Sequence, residues 1–420
     1  MTDAGAQFDA VSATAGPVAR SSVARVGIAT AVTAVCGYAV LYLAARNLDP
    51  TGFSVFGVFW GAFGLVTGAA NGLLQEATRE VRSSRHSGLG TGPSTHPMRV
   101  AAAAGVAAAA LIAGTAPLWA PHVFAEQRWL SVALLAVGLA GFCLHATLLG
   151  MLAGTGNWTQ YGSLMVTDAV IRVAVAAAAF VLGWGLAGFL WATVAGAVAW
   201  LLVLVVSVSA RSAAGLRTAG SPSTFLNGAM HSIAAAGASA ILVMGFPVLL
   251  KATSGELGAA GGVVILAVTL TRAPLLVPLT AMQGNLIAYF VDHRGARLKA
   301  LRAPFFAVLA IGGIGVAAAG LLGPWLLRVA FGPEYQTGGA LLAWLTAGAV
   351  SIALLTVTGA ATVAAALQRA YAIGWIGATV AAAVVLSLPM ALETKTVLAL
   401  LCGPLAGIAV HLAALARADA

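Results

Sequence analysis

Traced for apolar and polar positions, the chain resolves into about twelve continuous apolar runs separated by short polar turns. They fall at 26–45, 55–74, 100–118, 130–152, 161–183, 186–208, 227–250, 259–290, 303–322, 338–366, 370–390 and 396–415. About 20 apolar residues in a helix cross a hydrocarbon core about 30 Å thick. Strands of a membrane barrel alternate apolar and polar residues instead. These runs do not alternate, so each is predicted to be a spanning helix. The expected fold class is an all-α polytopic membrane protein. The run at 259–290 is expected to kink, because it holds Pro274 and Pro278 and a proline inside a helix removes a backbone donor.

The chain also repeats. Pro117, Phe124, Glu126 and the stretch Ala133-Leu134-Leu135-Ala136 recur in the same order as Pro324, Phe331, Glu334 and Ala340-Leu341-Leu342-Ala343. The offset is 207 residues, about half of 420, with one extra residue before the second Glu. Six runs in each half predict two six-helix lobes, at 26–208 and 227–420. A linker at 209–226, rich in Ser, Gly and Pro, joins them. An even number of helices gives both lobes one orientation. The repeat is therefore parallel, with a pseudo-two-fold axis along the membrane normal, a common plan for secondary transporters. Residues 1–25 are polar and unpatterned and read as a disordered tail.

Composition excludes a water-soluble domain. Hydrophobic residues make up 60% of the chain, charged residues 8%, and mean hydropathy is +0.97. The sequence pI of about 10.1 suggests nucleic acid at first sight. The distribution of charge gives a simpler reading. One set of turns, with both chain ends, carries Arg20, Arg25, Arg79, Arg82, Arg85, Arg99, Arg211, Arg217, Arg294, Arg297, Lys299, Arg302, Arg369 and Arg417. The opposite set carries Arg46, Arg128, Lys251, Arg328 and Lys395. Cytoplasmic loops hold the excess of Arg and Lys, so both termini are expected in the cytoplasm, with the protein in a bacterial inner membrane. The strongest basic clusters follow the second and eighth runs, the same place in each half. Cys36, Cys143 and Cys402 lie in apolar runs without CxxC spacing and read as packing residues. The first run is longer than a signal-peptide core, so no cleavable leader is expected.

Two basic residues remain, Arg172 and Arg272, and both fall inside predicted spans. Insertion scales put an Arg or Asp at a helix centre at about 2.5–3.5 kcal/mol. Counted at 1.5 Å per residue, Arg172 lies about 16 Å and Arg272 about 20 Å into the membrane, one from each half. Asp168 stands four residues before Arg172, on the same helix face. The pair reads either as a self-neutralising structural contact or as a cavity lining in which Asp168 tunes Arg172 or takes a coupling ion. Arg272 has no carboxylate within a helical turn. Two guanidinium groups facing one cavity would suit a diphosphate, because Arg matches phosphate oxygens in bidentate geometry. Asn71 and Gln75, with Gln283 and Asn285 in the comparable place of the second half, are weaker cavity-lining candidates. They serve equally well as helix–helix hydrogen bonders. His145 and His231 are isolated and read as structural. No P-loop, HExxH, CxxC or GxSxG is present, so no enzyme, metal or cofactor is expected.

Three stretches carry a family resemblance. Ala45-Arg46-Asn47-Leu48-Asp49-Pro50-Thr51-Gly52-Phe53 with Phe56-Gly57, then Arg272 ahead of Pro274 and Pro278, then Phe331-Gly332-Pro333-Glu334-Tyr335 resemble polysaccharide flippases of the Wzx type. That family lies in the multidrug/oligosaccharidyl-lipid/polysaccharide exporter superfamily. Asp49 stands where Gly is commoner in its pattern, and the counterpart loop around Glu256-Leu257-Gly258 matches weakly. The resemblance implies a flippase that moves a polyprenyl-diphosphate-linked oligosaccharide between leaflets by alternating access. Its partners would be that glycan, membrane lipids and other glycan-assembly membrane proteins. Alternatives are a multidrug/cation antiporter of the same superfamily, a polytopic glycosyltransferase or polymerase, or a scaffold that does not transport.

Overall fold

A computed structural model describes residues 20–87, 93–293 and 297–419. Five continuous helices open the chain: α1 (Arg20–Asn47), α2 (Pro50–Ser87), α3 (Pro97–Val123), α4 (Arg128–Thr155) and α5 (Trp158–Leu182). The sixth span is interrupted. Here α6 (Gly185–Ala195) passes through a 3-10 turn at Gly196–Val198 into α7 (Ala199–Val206), and a short α8 (Val208–Ala214) follows. The seventh span, α9 (Pro222–Val243), stops at Met244 and Gly245 and resumes as α10 (Phe246–Ser254). Then come α11 (Gly258–Asp292), α12 (Arg297–Phe331), α13 (Gly339–Ala364), α14 (Gln368–Leu386) and α15 (Leu392–Asp419). Among the described residues, twelve spans are long and apolar enough to cross a membrane. The chain is a multi-pass membrane protein of two helical lobes.

Local chemistry sets the helix ends. Gly156 and Gly183 adopt φ of 78° and 66° to close α4 and α5, a conformation that costs glycine no Cβ clash. Asp49 accepts the Gly52 N–H at 2.8 Å where α2 begins, and Ser221 accepts that of Thr224 ahead of Pro222. Helix α11 carries Pro274 and Pro278 inside one continuous helix, and outright interruptions fall at Gly196 and Gly245. Three expectations from the sequence need correction. Helices outlast their apolar runs, so Arg79, Arg82 and Arg85 stand on α2, and Lys299 and Arg302 on α12, rather than in loops. The stretch 209–226 is structured: it holds α8, the strand β2 (Thr218–Ala219) and the start of α9. Strand β2 pairs antiparallel with β1 (Ser94–Thr95) from the α2–α3 connection. Residues 20–25 already belong to α1; residues 1–19, and Arg294, lie outside the described residues.

The two halves pack alike. In the first, α2 and α3 both lie on α4, and α5 lies on α6; in the second, α11 and α12 lie on α13, and α14 on α15. The likeness fails at the first helix of each half. Helix α1 packs along α5 of its own lobe, whereas α9 packs mainly along α2 of the other. Glycines on α2 permit this approach. A Cβ added at Gly61 would lie 3.0 Å from the Met244 carbonyl oxygen, one at Gly68 2.8 Å from Ala240 Cβ, and one at Gly72 2.5 Å from Ile233 Cα. Toward the end of α2 the buried Glu76 lies against Gly228 of α9 and pairs with Arg79.

The reciprocal helices, α1 and α11, meet only marginally. Their halves nearest the Lys- and Arg-poor face are buried, at Val40, Leu41, Ala44 and Ala45 on α1 and from Val264 to Val268 on α11. Their halves toward the basic face are open, with Ile28 65% and Met282 53% exposed. The Arg-poor face is held shut between the lobes. There Tyr335 donates its hydroxyl to the Leu48 carbonyl at 3.0 Å, and the rings of Phe53 and Tyr42 meet Tyr335 and Phe331.

Candidate functional site

A cavity of about 260 Å³ lies between α1, α2 and α5, lined by Thr33, Gly37, Trp60, Asp168, Ala169 and Arg172. The one-turn spacing on α5 sets its polar wall. Arg172 donates Nε–H to Asp168 Oδ2 and Nη2–H to Asp168 Oδ1, both at 3.0 Å. Its Nη1 donates to the Thr193 carbonyl at 2.8 Å, just ahead of the break at Gly196, where interrupted helical bonding leaves carbonyls short of donors. The guanidinium also lies 5.3 Å from the centre of the Phe63 ring, within cation–π range. Glycine is needed at 196, since a Cβ there would press on Asp168 and lie 2.6 Å from Arg172 Nε. Arg172 therefore reaches the cavity with its charge already balanced.

Arg272 is placed differently. It does not line that cavity, and it is buried, only 7% exposed. Nη1 donates to the Val243 carbonyl at 3.0 Å, where α9 ends, and the guanidinium lies 5.0 Å from the Phe246 ring centre. Nε and Nη2 have no hydrogen-bond partner, and among the described residues no carboxylate pairs with Arg272. Tyr38 of α1 is within electrostatic reach. Each arginine thus uses one nitrogen on the carbonyl of a broken helix and one face on a phenylalanine. Only Arg172 spends its remaining donors on a carboxylate. An unpaired buried charge is expensive, so Arg272 carries unused capacity for an anion.

The weaker candidates lie on the parts of α2 and α11 nearer the basic face. Asn71 and Gln283 are half-buried; Gln75 and Asn285 are exposed. His145 is buried and stacked on Phe142 with ring centres 5.3 Å apart. His231 is exposed, with Nδ1 2.7 Å from the Asn227 carbonyl. Sequence reading missed Tyr38, Phe63 and Phe246. An aromatic residue in an apolar span looks like packing until the fold brings a guanidinium to its face. The helix breaks were nearer to being legible, as Gly196 and the Gly245–Pro247 pair interrupt otherwise uniform runs.

No family model matches the chain. It is 70% identical over 408 residues to the uncharacterized protein Rv3630 of Mycobacterium tuberculosis, covering 97% of this chain and 95% of that one. It is 68% identical over 417 residues to the uncharacterized protein Rv1510 of the same species, covering 99% and 96%. In three dimensions it resembles the inward-facing conformation of a multidrug resistance MATE family transporter of the MOP superfamily. The TM-score is 0.69 at 15% identity, over 92% of this chain and 94% of that one. Against an outward-facing conformation described in the same terms the TM-score is 0.61 at 16% identity, over 94% and 95%. At this identity the likeness is one of fold.

Proposed function

The chain belongs to the family of Rv3630 and Rv1510, and we propose that it is an alternating-access flippase for a polyprenyl-diphosphate-linked oligosaccharide. The basic face is the cytoplasmic one in this reading, so the open halves of α1 and α11 face inward. The carrying observation is Arg272, a buried guanidinium with two nitrogens unpartnered. Phosphate oxygens match such a fork, and a diphosphate supplies the acceptors it lacks. The gap between the inner halves of α1 and α11 supports the same reading. A sugar-diphosphate head could sit between the lobes while its lipid tail stays in the bilayer. The fold, with two lobes sharing one orientation, suits rocking about a central site.

Arg272 does not line the Arg172 cavity in this conformation, so in this scheme Arg172 joins as the second phosphate ligand only as the lobes move, with Asp168 the ion-coupling group. A proton on Asp168 would loosen its hold on Nε and Nη2 and turn those donors to the cavity. The ion shifts the lobes only if it binds one state better than the other. Deleting the gene should leave a polyprenyl-diphosphate oligosaccharide on the inner leaflet. Arg272→Ala, expressed at the wild-type level, should fail to restore export. Full export by that variant removes the diphosphate role, and accumulation on the outer leaflet rules out a flippase.

The fold likeness to a multidrug resistance transporter carries a second reading, a multidrug/cation antiporter. Trp60 and Asp168 are the cavity groups a cationic drug would meet. Near the middle of the spans one carboxylate, Asp168, stands against two arginines, Arg172 and Arg272, which favours an anionic head group instead. Drug susceptibility of the deletion strain separates the two.

A further inference from the structure

The second lobe contains a buried histidine that the scheme above leaves unused. His411 of α15 is fully buried. Its Nδ1 lies 3.1 Å from Thr358 Oγ1 of α13, and its Nε2 lies 3.3 Å from the Tyr371 carbonyl of α14. The Tyr371 ring lies parallel to the imidazole, 4° between planes, with centroids 6.1 Å apart. Gly374 lies directly beneath the imidazole, and any Cβ there would collide with it. The ring is thus fixed between three helices of one lobe.

Thr358 makes this more than a packed histidine. Its hydroxyl has a second acceptor, the Leu355 carbonyl at 3.0 Å. With a neutral ring, Thr358 donates to Nδ1 and Nε2–H donates to Tyr371. With a protonated ring, Nδ1–H donates to Thr358 Oγ1, the hydroxyl turns its hydrogen to Leu355, and Nε2–H keeps its acceptor. A hydroxyl both donates and accepts, and its hydrogen rotates freely. The site therefore satisfies both charge states with no heavy atom moved. A buried imidazolium needs every N–H engaged, and here each has an acceptor.

We propose that His411, with Thr358 as its rotating partner and the Tyr371 carbonyl as its fixed one, is a proton-binding site of the second lobe. Tyr371 is the titratable group against the ring. From α9 the neutral Ser239 faces Tyr371, and α13, which holds Thr358 and the buried Thr362 one turn on, has no ionisable residue. Asp292 on α11, Lys299 and Arg302 on α12, Arg369 on α14 and Arg417 on α15 are exposed, beyond the apolar layer of Leu412 and Leu415. The site is linked to the lobe seam, because Tyr371 touches α9 and α9 packs along α2. Proton binding then biases the lobe equilibrium, a consequence that rests on the transport reading.

The test uses the full chain in lipid nanodiscs with ring-¹⁵N histidine. The seven histidines give a small set of signals, and His411→Gln identifies the one lost. His411 should pass from neutral to imidazolium between about pH 5 and 8, the range natural to a histidine switch. Genetically encoded spin labels at Ile28 and Met282 should report an inner gap that changes with pH in the parent and not in His411→Gln. Gln retains hydrogen-bonding capacity but does not titrate. A ring that stays neutral to pH 5, or a pH-dependent gap that persists in His411→Gln, overturns the proposal. If a polyprenyl diphosphate closes the gap while pH does not change it, the proton site is refuted and the transport reading stands.

Discussion

Replacing Arg272 by Met should make the protein more stable and inactive, whereas the same replacement at Arg172 should make it less stable. The sign follows from the partners of each guanidinium. Arg272 has two buried nitrogens without acceptors, each costing about 1–3 kcal/mol, besides the cost of holding a charge away from water. Against this stand one charged hydrogen bond to Val243, about 1.5–3 kcal/mol, and the Phe246 face, about 0.5–2 kcal/mol. Exchanging a buried ion for a packed apolar chain of similar length is neutral to favourable by about 1–4 kcal/mol. Arg172→Met instead strands the carboxylate of Asp168, which is 9% exposed, and stranding one member of a buried pair costs about 3–5 kcal/mol. The two variants, identical in composition, should therefore differ by roughly 3–9 kcal/mol. Thermal unfolding in nanodiscs, followed by tryptophan fluorescence, reads the order directly: Arg272→Met at or above the parent, Arg172→Met well below. An Arg272→Met midpoint as low as that of Arg172→Met would show that Arg272 is kept for the fold, and the anion argument would fall.

Other expectations are as definite. Gly72→Ala should loosen the α2–α9 seam by about 1–3 kcal/mol, because its Cβ meets Ile233 backbone that has no room to yield. Gly27→Ala, with nothing within 4 Å, should stabilise by up to about 1 kcal/mol through helix propensity; unfolding midpoints compare the two, and equal effects would rule out the seam. Tyr335→Phe removes the bond to Leu48, worth about 0.5–1.5 kcal/mol, and should increase labelling of a cysteine placed at Asp49 by an impermeant thiol reagent. The Tyr335 phenol is pushed above its usual range by burial first, then by Asp49 and Glu334. Its contribution is therefore intact below the ordinary tyrosine value of about 10 and fades as pH rises through the raised one. Alkaline opening of the outer seam should disappear in Tyr335→Phe; if it persists, another group controls it.

Spans were the legible part of this chain, because a continuous apolar run admits little but a helix in a bilayer. Asp168 and Arg172 could be placed on one face from spacing alone. Their bidentate pairing could not, since it depends on Thr193 and Phe63 arriving from other helices. Arg272 stood out by cost, yet its isolation became visible only once Val243 and Phe246 were seen to occupy one nitrogen and one face. The basic clusters fall beyond the apolar runs at 55–74 and 259–290 and so read as loops. Arg79, Arg82 and Arg85 show that an amphipathic extension carries charge past the membrane boundary. His411 attracted no notice, because its partners Thr358 and Tyr371 lie on other helices and have no sequence spacing to read.

The two halves pack alike within themselves but are joined to each other unequally. Along α2 and α9 the glycines have welded one edge of the pair; along α1 and α11 the corresponding edge was left unsealed. A body joined along one margin opens like a book rather than like a pair of sliding plates. Displacement is then smallest at the spine and largest at the fore-edge. Such a molecule has a front and a back in the plane of the membrane, although its two halves pack alike. In the transport reading proposed above, cargo would meet it from one compass direction only, and the back is the side on which a neighbouring protein could rest without blocking that approach.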